Sequence, residues 1–239
     1  MLLQRALASR LLSWLRLFMP ITQADVIQMI QALPDKQCSS DPLLTWLLKA
    51  NVDLLAPFLC QLFCYSLEHS IVLSRLKAAY ITPIVMNVDT DPTETKSYRL
   101  ISNLSVLSKL LERLVCKQLT TYLKENGLLP DVQLAFRMHH SAETALLKVM
   151  CDILLTLDSG NLALLRLLDL SAAFDSVHHV TLLCRLHKSY SLGGTVLTWL
   201  TSYLAGCTQF VRTSVTSSDS SAVLYGVPQV WSSDLSCLC

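Results

Sequence analysis

Charge is scarce in this 239-residue chain. Only 15% of its residues are Asp, Glu, Lys or Arg, against roughly 25% in an average soluble protein. So few charges do little to keep exposed apolar surface in solution. A 52% hydrophobic content supplies ample material for a core. The net charge of +1 gives no bulk reason to expect a polyanionic partner. Zinc-type spacing is also missing. Among nine cysteines, Cys60 and Cys64 lie four apart and Cys237 and Cys239 two apart, and no C-x-x-C pair occurs, which argues against a structural zinc site. Cysteines scattered through a chain this long point to a reducing compartment. The pairs His139–His140 and His178–His179 are adjacent, and neighbours on a helix do not share a face, so metal binding is not expected there. There is no internal repeat and no low-complexity tract. The uncharged stretch 189–211 is long enough for a bilayer, but Gly193, Gly194, Gly206, Gln209 and many hydroxyls exclude it as a membrane helix.

The charges that are present are unevenly spread. Residues 1–19 hold three Arg and no acid, and 20–95 hold four bases and eight acids. Residues 96–148 hold eight bases and four acids, and 149–239 four bases and six acids. A mildly basic middle segment is therefore available to a polyanion, although most such excesses are ordinary solvated faces. The start, with Arg5, Arg10 and Arg16, has the composition of a transit peptide. An amphipathic surface helix or a stray upstream reading frame also explains it and is preferred.

Periodicity outlines a mixed α+β domain with helices packed on one sheet. Helices are expected over 23–33, 43–49, 54–69, 106 to Asn126-Gly127, 141–157 with Ser141 as cap, 178–190 and 195–205. Strands are expected at 78–85, 161–170, 208–215 and 221–227, the last two paired, with 89–97 a loop. The run "NLALLRLLDL" (161–170) is continuously apolar, as suits a central strand buried on both faces. It ends beside Asp169, with Asp175 six residues on. Such a strand delivers a carboxylate either to a metal site or to solvent at its tip.

The segments "KSYRLISNLSVLSKLLERLVCKQLTTYL", "QLAFRMHHSAETALLKV", "LLDLSAAFDSV", "SYSLGGTVLTWLTSYLAGCTQFV" and "YGVPQ" stand in the order and at about the spacing of a known family. In this the chain resembles the reverse transcriptase of non-LTR (LINE-type) retrotransposons over roughly residues 22–229. Residues 1–21 remain unassigned, and 230–239 form an unrelated tail. The resemblance implies a right-hand polymerase, here fingers and a partial palm on a mixed or antiparallel sheet, incomplete at the C-terminus. It implies an RNA or DNA template–primer as partner, dNTP as the sole small substrate, no membrane, and an intracellular site in cytoplasm or nucleus. It also implies Mg2+, an ion that prefers oxygen ligands on rigid elements. Asp169 is then the first metal ligand, with the Leu170 and Ser171 backbone holding a second ion. Phe174 lies near the incoming sugar, Asp175 supports the turn, Arg99 covers the triphosphate from the fingers, and Gln229 sits by the template–primer pair. Arg137, in "QLAFR", touches template or supports the palm. Lys109, Arg113 and Lys117 fall four apart on one helix face. They are phosphate contacts or, preferred here, part of a solvated outer face with Glu112 nearby.

The chain also departs from the family pattern. Leu100 replaces the proline of Y-R-P-I-S, and Met86 and Asn87 stand where a Lys is usual. Cys207 replaces an Arg, which removes a phosphate-binding fork. His178 stands for an acid. Arg166 interrupts the expected buried strand, where an unpaired guanidinium costs several kcal/mol. After "YGVPQ" the similarity stops at Val230, as at a frameshift or splice junction. The Y/F-x-D-D hairpin that carries two further metal-binding acids does not follow, and Asp234 is a poor substitute. One carboxylate cannot hold two ions in working geometry. The expectation is a degenerate reverse transcriptase domain without polymerase activity. The alternatives are a retained non-catalytic RNA- or protein-binding module, or a decayed copy with no selected function. An unpaired strand edge and open apolar faces are expected to favour aggregation.

Overall fold

The computed structural model describes residues 14–34, 41, 43–85, 91, 93–94, 97–129, 134, 140–168, 176–211 and 216–227, with backbone alone at 99 and 100. Among them are seven α-helices and four strands, a mixed α and β architecture. In chain order these are α1 (Gln23–Gln31), α2 (Thr45–Ala50), α3 (Val52–His69), β1 (Ala78–Val85), β2 (Tyr98–Asn103), α4 (Val106–Glu125), α5 (Ala142–Asp158), α6 (His179–Tyr190), α7 (Gly194–Leu204), β3 (Thr208–Val211) and β4 (Ser221–Ala222).

The helices begin where short polar side chains satisfy free N–H groups. Thr22 and Asp25 form a reciprocal capping box at α1. Ser105 caps α4 through the Ser108 N–H (3.2 Å), and Ser141 caps α5 through Thr144 (3.3 Å), as expected of such residues. A second acceptor reaches α4 from far away in sequence. Buried Asp41 accepts from the Val106 N–H at 2.6 Å and from the Leu43 N–H at 3.1 Å. A carboxylate there also meets the positive end of the helix dipole.

The sheet has the order β2-β1-β3-β4. β1 pairs antiparallel with β2 and parallel with β3, and β3 pairs antiparallel with β4. The expected strand at 78–85 and the expected pairing of the last two strands are both present. β2 was not foreseen. It is held by its register with β1, from Tyr80 opposite Asn103 to Val85 opposite Tyr98.

The core is helical. Ile30, Leu48, Phe63, Leu110, Leu111, Leu119, Leu123, Leu186, Leu192, Trp199 and Leu200 are its largest fully buried side chains. Each such aliphatic group contributes roughly 1.5–3 kcal/mol by leaving water. Residues 14–21 pack onto this body. Met19 exchanges two hydrogen bonds with the Gln118 side chain (2.8 and 2.9 Å), and Phe18 meets the Trp199 ring edge-on. At Gly194 (φ +56°) a Cβ would lie 2.6 Å from the Arg16 carbonyl oxygen, so only glycine fits this approach.

The expected central strand at 161–170 is corrected over its described part. Residues 161–168 form no strand and are exposed, Leu162 at 98% and Leu164 at 96%. An apolar run becomes a strand only when another strand lies beside it, and the sheet is built from β1 and β3 instead. Arg166 is accordingly exposed, so the expected burial cost of its guanidinium does not arise.

Candidate nucleic-acid interface

Helix α4 carries the basic row of the middle segment. Lys109 and Arg113 are half-buried and Lys117 is exposed. Lys117 is paired with Asp25 at 3.0 Å, which ties α4 to α1. The Asp25 carboxyl is held below its ordinary value by hydrogen bonds from Thr22 and then from Lys117. Glu112 does not belong to a solvated face, as the sequence suggested. It is buried at 4% exposure. The signal was readable, since Glu112 is in helical step with Ser108, Cys116 and Leu119, all of them buried.

Arg99 lies on β2, where its Cα stands opposite Ile84. Asp169, Leu170, Ser171, Phe174, Asp175, Arg137 and Gln229 lie outside the described residues, as do Met86, Asn87 and His139. The chain that follows the segment holding Asp169 and Asp175 and the chain that precedes Gln229 are described, and these two converge. The Gly226 N–H donates to the Val177 carbonyl at 2.8 Å. The His179 Nε2 contacts the Gly226 carbonyl at 2.7 Å, and the His178 and Tyr225 rings lie 5.8 Å apart. The backbone two residues after Asp175 is thus hydrogen-bonded to the backbone three residues before Gln229.

Beside this junction lies a cavity of about 450 Å³ whose lining includes Lys77, Ile81, His179, Tyr203, Gln209 and Tyr225. Mostly apolar walls with a few convergent polar groups are usual for ligand-binding cavities. Lys77 closes the C-terminus of α7 by donating to the Ser202 and Ala205 carbonyls at 2.5 and 3.0 Å, a favourable place for a cation. Burial pulls its ammonium below the ordinary lysine value. The Cys207 thiol donates to the Tyr203 carbonyl at 3.1 Å, and burial pushes it up. Sequence reasoning missed Lys77, since a single lysine before a strand carries no local pattern.

Among the described residues no three His, Cys, Asp or Glu side chains gather as a metal site. Cys60 and Cys64 both point their thiols at the Ile21 carbonyl, at 3.2 and 3.4 Å. No helix among the described residues is long and apolar enough to cross a membrane.

Residues 88–229 match the family described as reverse transcriptase (RNA-dependent DNA polymerase). The chain is 30% identical over 212 residues to a probable RNA-directed DNA polymerase from transposon BS of Drosophila melanogaster, covering 88% of this chain and 23% of that protein. It is 34% identical over 136 residues to the probable RNA-directed DNA polymerase from transposon X-element of the same species, covering 57% of this chain and 15% of that protein. With the RNA-directed DNA polymerase from mobile element jockey of that species it shares 29% over 171 residues, covering 71% and 19% respectively. The chain thus spans less than a quarter of the length of each of these relatives. With more than half of its residues matched, this chain belongs to the reverse transcriptase family.

Proposed function

We propose that residues 22–229 are the fingers and part of the palm of a LINE-type reverse transcriptase, flanked by 1–21 and 230–239, and that these 239 residues do not polymerise on their own. The observation that carries the reading is the Val177–Gly226 junction beside the cavity. It joins the chain next to the segment holding Asp169 and Phe174 to the chain next to Gln229, the two segments a polymerase site of this family draws on. In this reading Asp169 and the Leu170 backbone hold Mg2+, Phe174 borders the incoming sugar and Gln229 the template–primer pair. Arg99, Lys109, Arg113, Lys117 and Arg137 offer charge to phosphates. Magnesium held there would lower the pKa of the primer hydroxyl and offset the negative charge on the leaving pyrophosphate. Asp169 has no Tyr/Phe-x-Asp-Asp partner after Gln229 within these residues, and the described residues add no cluster of acids.

Two assays on the purified chain test this. Primer extension on an RNA template with Mg2+ and dNTP is expected to give no product. RNA binding is expected to weaken with salt and to fall several-fold in a Lys109→Ala, Arg113→Ala double variant. Extension that disappears in Asp169→Ala would overturn the inactivity. RNA binding indifferent to both salt and the double variant would remove the phosphate-contact role.

A second reading is a decayed copy with no selected function. It is favoured by the open apolar side of α5 and residues 161–168. A chain that cannot be kept in solution as a cooperatively unfolding protein would support it over a retained RNA- or protein-binding module.

A further inference from the structure

Glu112 sits on the buried side of α4 with one hydrogen bond. Its Oε1 accepts from the Tyr203 hydroxyl of α7. Its Oε2 has no partner among the described residues. A buried carboxylate with a single donor is poorly solvated, whereas the neutral acid tolerates that setting. Tyr203, 3% exposed, stacks on Trp199 with ring centres 5.4 Å apart and planes 7° apart. The Trp199 indole donates to Ser66 Oγ at 3.0 Å, and Ser66 donates to the Ile71 carbonyl at 2.7 Å. Hydrogen bonds and one ring stack therefore link α4 through α7 to α3. Tyr203 is also part of the cavity wall.

The charged and titratable groups around Glu112 are few. Lys109 and Arg113 flank it on α4 itself. Tyr203 and Cys207 face it from α7 and the turn into β3, with Lys77 beyond Cys207 and already bound to the Ser202 and Ala205 carbonyls. From α1, Asp25 reaches α4 but is engaged by Lys117.

We propose that Glu112 and Tyr203 form a proton-operated latch between α4 and the α7–β3 corner: the neutral carboxyl keeps the corner seated, and loss of its proton loosens the corner and the cavity wall that Tyr203 supplies. Burial pushes the Glu112 acid from its ordinary 4.5 up to about 7, against the opposing pull of the Tyr203 hydrogen bond and of Lys109 and Arg113. The folded chain thus holds this proton more tightly than the unfolded chain. Its contribution to stability is complete below pH 4.5, declines as pH rises to about 7, and is lost above that.

Thermal unfolding of the full chain across this window, with amide exchange over residues 194–211 corrected for the intrinsic pH effect, tests the latch. The wild-type Tm is expected to fall by several degrees between about pH 5 and about pH 8 as exchange over 194–211 quickens. Glu112→Gln keeps the shape without the charge and is expected to abolish both changes. Should that variant fail to fold, Tyr203→Phe serves, because losing the hydroxyl that favours the anion moves the midpoint to higher pH. A wild-type Tm flat across the window, an unchanged slope in Glu112→Gln, or an unmoved midpoint in Tyr203→Phe overturns the latch.

Discussion

Helix α4 buries twelve of its twenty residues, whereas α5, of nearly the same length, buries none of its seventeen. Both start at a capping serine. Both are rich in good helix formers, and α5 is the more apolar of the two. What separates them is what lies alongside. Helix α4 packs into the cluster formed with α1, α3, α6 and α7. In α5, Leu146 and Leu147 are each 63% exposed and Leu155 is 68% exposed, and the exposed leucines continue through 162–168. Apolar residues stabilise a fold only where they leave water. The same composition is therefore a core on one side of this molecule and an adhesive surface on the other.

Core substitutions should separate the two regions most. Leu110→Ala, at a fully buried site in α4, is expected to cost about 2–5 kcal/mol. Leu155→Ala in α5 should stay within about 0.5 kcal/mol. Urea denaturation of the two variants measures the contrast, and equal costs would mean that α5 is covered. Replacing Leu146 and Leu154 together by Lys should raise solubility with little change in unfolding midpoint, as sedimentation at increasing concentration would report.

Smaller effects sharpen the closed side. Gly194→Ala must hold φ +56° and push against the Arg16 carbonyl, a strain of about 1–3 kcal/mol. A Tm unchanged by it would place residues 14–21 off the core. Asp41→Ala removes an acceptor from the first turn of α4, worth about 1 kcal/mol at a typical N-terminus. Its loss should appear as faster exchange of the Val106 amide. Lys117→Ala breaks a largely exposed pair and should cost no more than about 1 kcal/mol. If Lys117 also contacts phosphate, the salt dependence of RNA binding falls by roughly one counterion.

Local pattern was readable wherever structure is local. The three-and-four spacing from Val106 to Tyr122 marks α4, Ser141 marks the start of α5, and the β-branched run at 78–85 marks β1. Pairing was not readable. Tyr98–Asn103 carries no strand signal of its own and becomes a strand only with β1 beside it, whereas 161–168 looks like a strand although none of the described strands lies beside it. Glu112 was legible as a conflict, a carboxyl in step with buried positions, but not as the partner of Tyr203, ninety-one residues away. The family was legible because five motifs keep their order. The roles of Asp169, Phe174, Arg137 and Gln229 rest on that resemblance, since those residues fall outside the described ones, and Arg99 is described in backbone alone.

Amide hydrogen exchange read peptide by peptide along the whole chain tests the contrast most directly. The account predicts that α4 exchanges only through global unfolding, while α5 and 161–168 exchange orders of magnitude faster by local opening. Protection of α5 equal to that of α4 would contradict it, and would mean that the apolar side described as open is covered in solution.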